Sequence, residues 1–336
     1  MSSAGESGAG ASEAGTAGTS DPASAGEAGA GEGGAGGEHA GGDTGRAGGG
    51  TAGTGDAAGA AGTPLSETLD FVFDREVLPI GGNAFAVDLD GDGGPDNAYG
   101  KVLGALSLYN FPAQSLADAE TNAGRGLQLL ALDPVDTNLA SGSTTLKLWR
   151  ALQTNPDFTG TGLFAIDSAA PNASLRGVIE SSQLTSVKFA PGARLPRILL
   201  HLPLGNTVDL PISVYSISFR VAADGLSEGQ LNGAASASDV DAIVPAALAA
   251  QFDTVCTSVA PPTQECQTAL LLFDTDQDHR ISADELRASD VIKAVLAPDT
   301  KLFDEQGNFA PDGTAETKDA FSVGFGFTAV PARITH

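Results

Sequence analysis

The stretch Phe321-Ser-Val-Gly-Phe-Gly-Phe-Thr-Ala329 sets Phe321, Val323, Phe325, Phe327 and Ala329 at alternate positions. A period of two turns all of them to one face of a strand. The same alternation recurs upstream in Ile198, Leu200, Leu202 and Leu204. Val208, Leu210, Ile212 and Val214 then keep one parity and Ile217, Phe219 and Val221 the other, which predicts a bulge near Tyr215-Ser216. Phe71 with Phe73, and short apolar runs at 127–132, 144–149 and 162–166, predict further strands. Another is expected at Phe85, Val87 and Leu89, whose opposite side would carry Asp88, Asp90 and then Asp92. His201 falls on the polar side of its strand with no carboxylate near it in sequence, so it reads as exposed or singly hydrogen-bonded.

Helical periodicity interrupts the strands. Residues 97–109 place Ala98, Val102, Leu106 and Tyr109 on one side behind a cap at Asp96, and a shorter helix is expected between Pro112 and Asn122. From Ser238 onward, Val240, Ile243, Val244, Ala247, Leu248 and Phe252 share a face. Ser238 and Asp241 form a capping-box-like pair there, and Pro245 predicts a kink.

Two acidic stretches carry the chemistry. The first to consider is Asp274-Thr-Asp-Gln-Asp-His-Arg-Ile-Ser-Ala-Asp-Glu285. Hard Ca²⁺ takes six to eight oxygens, and a twelve-residue loop can supply them from positions 1, 3, 5, 7 (a carbonyl), 9 and 12. Those positions are Asp274, Asp276, Asp278, the Arg280 carbonyl, Ser282 and Glu285. The stretch resembles an EF-hand loop, with an entering face of Ala269, Leu270 and Phe273, Ile281 at the position that faces a partner loop, and Leu286 at the start of the exit helix. Position 6 departs from the pattern, because His279 stands where a glycine normally takes positive φ; histidine is among the non-glycine residues that tolerate that region. Ser289-Asp290 reads as a fresh N-cap that interrupts the exit helix and speaks against a sensor role. The second stretch, Asp88-Leu-Asp-Gly-Asp-Gly-Gly-Pro-Asp96, resembles the first nine positions of such a loop or of a thrombospondin type 3 calcium loop. Its ligands would be Asp88, Asp90, Asp92 and Asp96, but position 12 is Tyr99, so a closing ligand would have to come from Asp96, Asn97 or elsewhere. The bland alternative is an Asx-rich turn.

Composition divides the chain. Residues 1–63 hold 22 of the 44 glycines and no Val, Ile, Leu, Phe, Tyr or Trp, which predicts a disordered Gly/Ala/Ser-rich tether. Residues 64–336 are expected to form a single β-rich domain, with 262–298 as a helix-loop-helix segment. The net charge of −25 and the lack of a basic cluster exclude a phosphate-binding surface, so no nucleic acid partner is expected. No apolar run is long enough for a transmembrane segment. Cys256 and Cys266 are spaced for a disulfide worth roughly 2–3 kcal/mol; in a reducing cytosol they would be two small core residues.

The fold class read from this order is α+β, mainly β: an antiparallel β-sandwich with a helical cluster carrying the EF-hand-like loop, preceded by a disordered tail. The stretches 87–98, 273–299 and 323–330, together with the low-complexity tether, resemble a group of bacterial surface lipoprotein-like proteins best known from myxobacteria. That resemblance implies an outer-surface address and no established activity. The expected function is a secreted or surface-tethered protein in which Ca²⁺ stiffens the fold, with a surface polymer or protein as partner. The alternatives are a calcium-stabilised secreted hydrolase acting on polysaccharide, and a cytosolic calcium-binding protein. No nucleophile elbow, zinc-protease motif or phosphate loop is present, and no catalytic residue is assigned. The tail, the calcium loops and the cysteine pair together lead us to expect a signal sequence ending in a lipid-modified cysteine upstream of Met1.

Overall fold

The computed structural model describes residues 67–335, apart from 82, 108–110, 135–138, 140, 154, 205–207 and 258–262. The expected tether (1–63), the domain start at Pro64 and the helical position of Tyr109 lie outside the described residues. In chain order the elements are β1 (Leu69–Val77), α1 (Ala98–Ser107), α2 (Ala113–Asn122), β2 (Gln128–Asp133), β3 (Ser141–Leu152), β4 (Leu163–Ile166), β5 (Ala173–Glu180), β6 (Gln183–Ser186) and β7 (Arg197–His201). They continue with β8 (Asp209–Ala222), β9 (Gly225–Ser236), α3 (Ala237–Thr257), α4 (Gln264–Phe273), α5 (Ala283–Ala288), α6 (Asp290–Val295), β10 (Ala320–Pro331) and β11 (Arg333–Thr335).

The protein is mainly β, and its sheet pairs in the order β11-β4-β3-β2-β1-β10-β9-β8-β6-β5. Because β5 also pairs with β3, the path from β3 through β10 and β8 to β5 returns on itself as a ring of antiparallel neighbours. Both layers of the expected sandwich are therefore continuous. β7 lies along the first half of β8 and β6 along its second half. β4 and β11 extend the sheet beyond β3, with β11 parallel to β4.

The alternating residues of β10 decide where the core sits. Phe321, Val323, Phe325, Phe327 and Ala329 all join one apolar cluster with Phe71, Phe73, Leu130, Leu146 and Phe219. At its centre Phe327 stacks on Phe73 at 4.1 Å between ring centroids and meets Phe219 edge-on at 5.9 Å. The opposite faces of β1 and β2 turn Val72 and Leu129 into a second cluster with Phe164. The parity switch in β8 is a register irregularity between Val214 and Ser216, at the predicted bulge.

Three sequence expectations change. The strand expected at 85–89 does not form: Val87 makes one isolated bridge to Asp96, and Phe85 has φ 57. The Asp96 carboxylate takes the Leu89 N–H and the Asn83 carbonyl takes that of Ala86, two donors that a ladder would need. The cap of α3 is not Ser238 with Asp241; the Ser236 hydroxyl accepts the Asp239 N–H at 3.1 Å and donates to the Asp239 carboxylate at 2.8 Å. His201 is singly hydrogen-bonded, as one of its two readings had it, but it is buried and not exposed: Nδ1 lies 3.1 Å from Asp209, and Nε2, without a hydrogen bond, 3.5 Å from Glu120. Neither carboxylate is near it in sequence, and the approach of β8 and α2 brings both.

Candidate metal centre

The C-terminal loop bridges α4 and α5. Thr263 caps α4 by accepting the Cys266 N–H, and Cys256 and Cys266 are joined as a disulfide that links this helix to the end of α3. Within the loop, oxygens of Asp274, Asp276 and Asp278 lie within 4.8 Å of one another. Oxygens sharing one Ca²⁺ at 2.3–2.6 Å can be at most about 5 Å apart, so this spacing fits a single ion. The chain is folded round the carboxylates by its own N–H groups. Asp274 accepts from Asp278 at 3.1 Å and from His279 at 3.0 Å, and Asp278 accepts from Arg280 at 2.8 Å.

His279 has φ 67, the left-handed conformation expected of position 6, and Gln277 has φ 62, which the sequence reading did not anticipate. The strain at position 6 makes a direct prediction. For a loop that takes calcium in the way its spacing allows, His279→Gly should bind the ion roughly fivefold more tightly, since a side chain at that φ costs about 1 kcal/mol that glycine escapes. Calorimetric titration checks it, and a weaker site in the variant would mean that the imidazole itself supports the ion.

Glu285 stands apart from the carboxylate trio. Its Oε1 accepts the Thr275 N–H at 2.6 Å and its Oε2 the Ser282 N–H at 2.8 Å, while the Ser282 hydroxyl caps α5 in return. The Ser282 and Thr275 N–H groups hold its carboxyl down at about 2 despite some desolvation. It thus ties both ends of the loop together as an anion. α5 ends at Ala288 and α6 restarts at Asp290, so the exit helix is interrupted where Ser289-Asp290 implied.

The N-terminal loop is built differently. Asp88, Asp90 and Asp96 bring oxygens within 4.8 Å of one another, but Asp92 does not join them; its Oδ1 accepts the Gly94 N–H at 2.7 Å. Asp96 does not cap α1 either. It turns back to accept the Leu89 N–H at 2.8 Å, and burial pushes its carboxyl up to about 6, with the neighbouring Asp90, Asp299 and Asp92 charges adding to the rise. Asp90 is buried and accepts Lys318 Nζ at 2.7 Å and the Lys301 N–H at 3.2 Å. Burial opposes its ionisation, yet these donors together hold its carboxyl below the ordinary value.

Asn97 is the cap of α1. Its Oδ1 accepts the Gly100 N–H at 3.1 Å and also the Gly324 N–H at 3.1 Å, and its Nδ2 donates to the carbonyls of Gly324 at 3.0 Å and Ala84 at 2.7 Å. The Ser322 hydroxyl accepts the Ala98 N–H and donates to Asp299 at 2.6 Å. These groups continue one edge of β10. Thr300 bridges Ala320, Asp299 takes the Ser322 N–H, Asn97 takes Gly324, and β1 pairs from Gly326 onward. A Cβ on Gly324 would lie 2.3 Å from the Phe85 carbonyl oxygen, so glycine is needed for this approach. Sequence reasoning gave no role to Asp299, Lys301, Lys318 and Ser322, because the groups they meet at this site lie 23 to 228 positions away in the chain.

A second polar cluster surrounds His201. Arg125 pairs with Glu120 and Arg150 with Asp209, on either side of the imidazole. Glu76, Glu120, Arg125 and His201 line a cavity of about 10 Å³, room for about one water. Among the described residues, no helix is long and apolar enough to cross a membrane. The chain matches no protein-family model, no curated protein and no solved structure.

Proposed function

We propose that the protein is a calcium-binding secreted or surface-tethered protein in which Ca²⁺ at Asp274–Glu285 stabilises the fold. The observation that carries this reading is the trio Asp274, Asp276 and Asp278, whose oxygens lie within the span of one calcium shell. The Arg280 carbonyl, Ser282 and Glu285 would complete it. The interrupted exit helix favours a stabilising ion over a conformational sensor. In millimolar extracellular calcium, a site with Kd near 10⁻⁴–10⁻³ M contributes on the order of 1 kcal/mol by mass action. The Cys256–Cys266 disulfide agrees with an oxidising compartment, and the stretches resembling myxobacterial surface lipoprotein-like proteins agree with a surface address. For the hydrolase alternative, the carboxylates around His201 open on space for about one water and none for a sugar ring.

Calcium should raise the Tm of the full chain by a few °C, and magnesium much less, because magnesium gives up its waters reluctantly. Glu285→Gln should abolish most of that shift. Equal shifts with both ions, or an unchanged calcium response in Glu285→Gln, would overturn the reading.

A further inference from the structure

We infer that Lys318 is the built-in cation of the Asp88–Asp96 loop, so that this loop is closed by the chain's own ammonium and calcium binds at the C-terminal loop alone. The inference uses the calcium reading only for its stoichiometry. Four observations carry it. The Asp90 side chain is fully buried, and Lys318 Nζ lies 2.7 Å from its Oδ2. Such a carboxylate needs an opposite charge close by, and Lys318 forms its ion pair. The same oxygen accepts the Lys301 N–H at 3.2 Å, so both acceptor sites of Oδ2 are taken, while Oδ1 accepts the Asp92 N–H at 3.2 Å. Lys318 is held in place from behind. Its neighbour Asp319 takes Lys301 Nζ at 2.6 Å and the Leu302 N–H at 2.9 Å, fixing the segment that precedes β10.

Asp88 and Asp96 accept backbone N–H groups, Gly91 and Gly93 for the first and Leu89 for the second, much as the C-terminal carboxylates do, so the ammonium on Asp90 is what sets this loop apart. A calcium ion at this loop would have to displace an ammonium that is tethered to the fold and needs no diffusion to return. Position 12 offers it no compensating carboxylate, because it is the phenol Tyr99, buried in α1. The segments joined by the pair are 228 positions apart, so Lys318 also anchors the loop to the end of the molecule where β10 begins.

The test is calorimetric calcium titration and thermal unfolding, in EDTA and in calcium, of the full chain and of Lys318→Gln, Lys318→Arg and Glu285→Gln. Wild type should bind one calcium, lost in Glu285→Gln. Lys318→Gln should lower Tm by about 5–10 °C in EDTA. Calcium should restore much of that loss, through a binding event that persists when Glu285→Gln is added. Lys318→Arg, which keeps the charge, should behave as wild type. Wild type binding two calcium ions, or Lys318→Gln as stable in EDTA as wild type, would overturn the inference. If Lys318→Gln does not fold, Asp90→Asn replaces it: a stability in EDTA equal to wild type counts against the pair, and a fall of similar size supports it. A wild type that binds no calcium while Lys318→Gln still loses stability would reject the calcium reading and leave standing only the pairing of Lys318 with Asp90.

Discussion

Glu76→Gln is expected to stabilise the protein by on the order of 5 kcal/mol above about pH 8, and to leave it nearly unchanged near pH 4. Glu76 sits on β1 beside the narrow cavity that Glu120, Arg125 and His201 also line. Among the described residues nothing forms a hydrogen bond or ion pair with its carboxyl, and burial pushes that group from 4.5 up to about 8. The native state therefore keeps a proton that the unfolded chain releases once the pH passes about 4.5. Stability from this group is complete below that value, falls between about 4.5 and 8, and is wholly lost above 8. Glutamine keeps the shape and cannot ionise, so it removes the slope. Urea unfolding at a series of pH values measures it, and an identical pH dependence in wild type and variant would show that Glu76 ionises freely in the fold. Burial, and with it the Glu76 charge, pushes the nearby Tyr99 hydroxyl upward too.

Asn97→Ala is expected to cost about 3–5 kcal/mol, enough to threaten folding of a chain of ordinary stability. The Asn97 side chain is fully buried and uses its amide on four backbone groups: the N–H groups of Gly100 and Gly324, and the carbonyls of Ala84 and Gly324. Alanine leaves those donors and acceptors without that partner inside the protein, where each unmade hydrogen bond carries the desolvation of its group. The loss should reach beyond α1. Gly324 lies on the β10 edge where no strand covers it, so Asn97 acts there as a single strand residue supplied by a side chain. Asn97→Asp is the sharper variant, because it keeps the two acceptor bonds and replaces the donors with a charge. A denaturation midpoint for Asn97→Ala within about 1 kcal/mol of wild type would show that water reaches these groups.

What the residues by themselves determined is whatever depends on period or on loop-local hydrogen bonds. The alternation of Phe321 to Ala329 became β10, the parity switch before Ile217 became the bulge in β8, and the demand for positive φ at position 6 was met by His279. Each rests on contacts within a few positions, which a linear reading can see. β9 escaped that reading because Gly225-Leu-Ser-Glu-Gly-Gln-Leu-Asn-Gly has the composition of a loop. Its small residues are required by its place between β8 and β10: a Cβ on Gly229 would lie 2.5 Å from the Phe327 carbonyl oxygen. The same holds for the two acidic loops, which look alike on paper. Asp274, Asp276 and Asp278 converge by local N–H donors, whereas the fate of Asp90 was decided by Lys318, brought across 228 positions by the docking of the segment ahead of β10. His201 acquired Asp209 and Glu120 in the same way, through the meeting of β7, β8 and α2. Charges separated along the chain are paired only when packing fixes which surfaces meet, and that information lies in the closed ring of strands.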